Sequence, residues 1–92
     1  MQTKDFQKKL IESEISRLQT ELGKAKDNPT KEKIQLDILK SQVNLGILDG
    51  ETYANSKYRI EEFLKTSNEP SIKAEALSLI ADLATKNSAG FD

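Results

Sequence analysis

The twenty residues from Leu45 to Leu64 constrain this fold more than any other stretch, because they hold a helix stop and a helix start with almost no chain between them. Gly46 suits the left-handed conformation that closes a helix, and Asp49 suits the cap of the next one. Between them lie Ile47 and Leu48, two large apolar residues where a connection is ordinarily polar. The expectation is a packed corner between two helices, with Gly46 at positive φ and with Ile47 and Leu48 buried.

Two prolines supply the remaining punctuation. Asp27-Asn28-Pro29-Thr30 and Ser67-Asn68-Glu69-Pro70-Ser71 each place a residue without an amide hydrogen next to turn and capping residues, which ends one helix and suits the first turn of another. The chain therefore reads as an all-α protein, a small antiparallel bundle of four segments at about 3–26, 30–45, 50–65 and 70–87 in a single domain. Within it, 1–28 is a coiled-coil arm, 29–87 a helical core and 88–92 a tail. In the arm, Ile11, Ile15, Leu18, Leu22 and Ala25 recur at spacings of four and three, the a/d seam of a narrow apolar stripe. Phe6 and Leu10 lie off that seam and widen it at its start. Leu36, Leu39 and Val43 continue the heptad in phase across Pro29, so one long kinked helix is the rival to a hairpin.

The second segment is apolar on two sides. Projected at 100° per residue, Ile34, Ile38 and Leu45 fall on one face and Leu36, Leu39 and Val43 on the opposite one. A central helix covered on both sides meets that pattern, as does a helix with one face left for another chain. The Leu36, Leu39 and Val43 face is the nearest counterpart in sequence for the seam of the first segment. In the third segment Tyr53, Ser56, Ile60, Phe63 and Leu64 share one side, while Tyr58 points away beside Ala54. The fourth carries Ile72, Ala76, Leu79 and Leu83 in line, flanked by Leu77, Ile80 and Ala84, and is expected to be the most buried. Asn87 to Gly90 reads as its end, with Phe91 folding back on the bundle or serving as a tail ligand.

Composition excludes several function classes. The chain of 92 residues has no Cys and no His, which removes thiolate chemistry, disulfides, the commonest general base and the commonest transition-metal ligand. Its carboxylates are not gathered at metal-ligand spacing, and no GxSxG, SxxK or phosphate-cradling glycine loop is present. A non-enzyme with no cofactor and no metal is expected. Residues 1–40 carry nine Lys or Arg against seven Asp or Glu, whereas residues 41–92 carry five against eight. Because the basic residues alternate with acids, this is a solvated helix surface and not a polyphosphate footprint, so nucleic acid is not expected as a partner. No apolar run is long enough for a bilayer, and the first residues lack the apolar core of a signal peptide, which points to the cytoplasm, that of the host if the protein is viral.

The corner carries one family resemblance. Gly46-Ile47-Leu48-Asp49, then Glu51, Tyr53 and Lys57, within 39–64, resembles the SHOCT domain, a short helical module that ends one helix and starts another in this way. Gly50 and Thr52 stand where members of that family usually have Glu. The resemblance implies an oligomerisation or attachment role. Together these readings favour a protein-protein interaction module, a structural adaptor or self-assembling homo-oligomer, with a small regulatory inhibitor of viral or mobile-element type as the alternative. The candidate interface residues are Ile11, Ile15, Leu18, Leu22, Leu36, Leu39, Val43, Tyr58 and Phe91.

Overall fold

The computed structural model describes residues 3–90, with side chains through Thr85. Four helices follow one another: α1 Lys4–Lys24, α2 Asn28–Leu48, α3 Tyr53–Thr66 and α4 Pro70–Gly90. Three have side-chain N-caps where the sequence offers a hydroxyl or carboxylate. Thr3 accepts from the Phe6 amide, Asp27 from Thr30, and Thr52 from Asn55, each satisfying an amide the helix cannot. Pro29 and Pro70 sit in the first turns of α2 and α4, so the chain reverses at Ala25 to Asp27 and the long kinked helix is not formed. α4 does not stop at Asn87 but continues to Gly90. Phe91 lies outside the described residues.

α2 is the centre of the assembly. α1 packs on one side of it, α3 and α4 pack on the other and on each other, and among the described residues α1 packs on neither of them. The result measures 40 × 29 × 15 Å with a radius of gyration of 13.9 Å, larger than the roughly 12 Å of a compact domain this long. The molecule is a flat, open bundle.

The two faces of α2 take partners in the reverse of the expected order. Leu36, Leu39 and Val43 do not meet α1; they form the main core with Ile60, Ile72, Ala76 and Leu83, flanked by Tyr53, Phe63, Leu64, Leu79 and Ile80. α1 takes the opposite side. Its ion pair from Lys8 to Asp49 fixes an antiparallel register that places Leu18 level with Ile38, and both are buried outside the main core. The physical reason lies in phase: Glu32 and Gly46 extend the Leu36, Leu39 and Val43 line at both ends, and all five positions are buried. That longer stripe matches two helices. α4 is accordingly not the most buried helix among the described residues, since Leu77 is exposed and α2 carries more of the core.

The expected corner also shifts. α2 runs past Gly46 through Ile47 and Leu48, and it closes at Gly50, whose φ is +83°. The Glu51 amide donates to the Gly46 carbonyl at 2.8 Å and the Gly50 amide to the Ile47 carbonyl at 3.0 Å, the paired bonds of a Schellman ending. Asp49 is thus the C-cap of α2, not the N-cap of α3, and Glu51 precedes α3, paired with Arg59 through two 3.0 Å hydrogen bonds. Ile47 and Leu48 are not a buried dipeptide. Ile47 is exposed and Leu48 half-buried, because both sit on the last turn of α2 where α1 is also near its end.

The two glycines are expected to respond differently to alanine. Gly50→Ala forces a Cβ into the left-handed region at a cost of about 1–2 kcal/mol. At Gly46 a Cβ lies 2.7 Å from Glu51 Oε2, on the carboxylate that Arg59 holds, so that group and its ion pair must shift. Displacing that carboxylate offsets the helix-propensity gain of up to about 1 kcal/mol, so Gly46→Ala should stay within about 1 kcal/mol of the parent. Urea denaturation of both variants checks this. If Gly50→Ala left stability unchanged, the left-handed turn would not close at Gly50.

Candidate interaction surface

The expected interface residues separate into three groups. Leu36, Leu39 and Val43 are consumed by the core. Leu18 is buried against α2, with Ile11, Ile15 and Leu22 half-buried along the same seam. Tyr58 stands free on the outer side of α3 at 61% exposure.

Among the described residues, three of the five exposed large apolar side chains lie toward the open end of the α1–α2 hairpin. Phe6 and Leu10, one helical turn apart, are 47% and 57% exposed, and Ile47 is 36% exposed. A shallow groove of about 450 Å³ runs between the helices here, lined by Gln7, Leu10, Ile11, Asn44, Ile47 and Leu48. Its origin is local. The seam of α1 points at α2, which turns Phe6 and Leu10 outward, and α2 continues beyond the expected stop and so carries Ile47 out beside Leu10. At the rim Lys8 donates to Asp49, a bond that raises the lysine above its ordinary pKa. Further along the outer side of α1, Arg17 is held between Glu14 and Glu21.

A second polar arrangement was hidden in the alternation of Lys31, Glu32 and Lys33. Glu32 is buried, and its carboxylate accepts from Ser67 Oγ at 2.5 Å, the Asn68 amide at 2.9 Å and the Glu69 amide at 3.1 Å. These donors sit in the α3–α4 turn at the start of α4, where amides point outward without helical partners and favour an anion. The Ser67 hydroxyl, then the amides, hold Glu32 below the ordinary carboxylate range, with Lys73 adding a favourable charge. The signal was present in the sequence: Glu32 is in heptad phase with Leu36, Leu39 and Val43, so a charge stood on the apolar line. This is a structural latch between α2 and α4, with every carboxylate partner internal.

Among the described residues no three His, Cys, Asp or Glu side chains gather to hold a metal ion, and no helix is long and apolar enough to cross a membrane. Ser56 Oγ is buried without a hydrogen-bond partner, on the core side of α3. Comparison with protein-family models, with curated proteins and with solved structures finds no match to this chain.

Proposed function

We propose that this protein is a non-catalytic interaction module that self-associates as a structural adaptor. The observation that carries this reading is the open end of the α1–α2 hairpin, where Leu10 and Ile47 line an apolar groove and Phe6 is exposed one helical turn before Leu10. Grouped exposed apolar side chains with a polar rim are the usual mark of a contact surface. The SHOCT resemblance of residues 39–64, with its implied role in oligomerisation or attachment, supports the same reading, and the cytoplasm is its proposed compartment.

Light scattering over a roughly hundredfold concentration range tests it. The average mass of the parent is expected to rise with concentration, and the double variant Phe6→Ser/Leu10→Ser to associate less while keeping its helical circular dichroism. A parent that is monomeric throughout removes self-association and favours the alternative of a small inhibitor acting on a larger protein.

A further inference from the structure

We propose that α1 exchanges between two copies of the chain, each copy's α1 docking on the outward face of the other's α2. The exchange rests on the self-association reading and specifies its partner as a second copy and its moving part as one helix. α1 is, among the described residues, the only helix with a single neighbour: it lies on α2 and reaches neither α3 nor α4. Among the described residues its one polar link to the rest of the chain is the exposed ion pair from Lys8 to Asp49. Everything else that holds it is the apolar seam along α2, the most extensive helix pairing among the described residues, with Leu18 as its one buried side chain on α1.

The hinge is built to open without strain. Ala25 (φ −71°, ψ 140°) and Asp27 (φ −104°, ψ 151°) have extended backbone that any residue adopts. No hydrogen bond crosses from one helix to the other at this turn. The Ala25 amide donates back into α1 at Glu21 and Leu22, and Asp27 caps α2 through Thr30, so both helix ends stay satisfied when the hinge straightens. The remaining fold does not depend on α1, because the main core and the Glu32 latch join α2, α3 and α4 only.

Release of α1 uncovers Ile34, Ile38 and Leu45 on α2, and the surface known to fit them is α1 itself. A second copy therefore regains the same contacts residue for residue, and the balance between closed and exchanged forms depends on hinge geometry and protein concentration. A foreign protein has no such built-in match.

The chain contains no cysteine, so introduced thiols report the exchange directly. Chains carrying Lys8→Cys alone and isotope-labelled chains carrying Asp49→Cys alone are mixed, concentrated together and treated with a short-spacer bismaleimide. The expected product joins position 8 of one chain to position 49 of the other by mass spectrometry. Deleting Lys26 shortens the hinge and is expected to raise the dimer fraction about tenfold at fixed concentration, whereas inserting three glycines after Lys26 lowers it. The double variant Lys8→Cys/Asp49→Cys provides the control. Oligomers whose 8-to-49 links form only within a chain overturn the exchange and leave association through the exposed hairpin end standing. A chain that is monomeric at every concentration overturns both.

Discussion

Leu36→Ala is expected to lower the free energy of unfolding by about 2–5 kcal/mol, read by urea denaturation as a shift of midpoint at unchanged slope. Leu36 is fully buried at the centre of the cluster that joins α2 to Ile60 of α3 and to Ile72 and Ala76 of α4, so truncation loses apolar burial and leaves a cavity that three helices must close around. Leu48 is the control on the same helix. It is half-buried at the open end of the hairpin, and Leu48→Ala is expected to cost only about 1 kcal/mol, since half of a leucine's transfer energy is already forgone. Equal losses at the two positions would place the apolar corner, and not the α2–α3–α4 cluster, at the centre of stability.

The second large effect is expected at Glu32. Glu32→Gln keeps the size of the side chain but turns an amide toward donors from Ser67, Asn68 and Glu69, and it removes the negative charge from the start of α4. Thermal unfolding at neutral pH should move down by about 5–10 °C. The pH dependence follows from the sign of the shift. The folded-state pKa of Glu32 is lowered, so the latch contributes fully above the ordinary carboxylate range of the unfolded chain, and its contribution is lost as pH falls through the lower folded value. The parent should therefore lose stability on acidification below about pH 4.5 more steeply than Glu32→Gln, and the two should converge at the acid end. Asp27, also lowered by its bonds to Thr30, contributes an acid-sensitive part common to both proteins. Parallel pH profiles for parent and variant would show that Glu32 is not the group held ionised by the α3–α4 turn.

The sequence by itself determined the helices and most of their ends, because those are set by neighbours along the chain. Pro29 and Pro70 cannot continue a helix, Thr3 and Asp27 cap locally, and the periodicities of α1, α3 and α4 follow from helical geometry alone, whereas the cap of α3 is Thr52 and not the expected Asp49. The two-faced character of α2 was also legible, since its apolar residues fall on opposite sides at 100° per residue. Only the tertiary structure decided which face meets which helix. Both faces offer similar aliphatic side chains to a partner that reads shape and not identity, and the group that sets them apart is a charge: Glu32, on the Leu36, Leu39 and Val43 line, takes its donors from the α3–α4 turn. The same holds for the exposed end of the hairpin. Gly46 and Gly50 are both able to end a helix, and the α2 hydrogen bonds continue past Gly46 to close at Gly50, which carries Ile47 out to solvent beside Leu10. A helix stop is a local signal, but which of two nearby stops is used depends on what the last turn packs against.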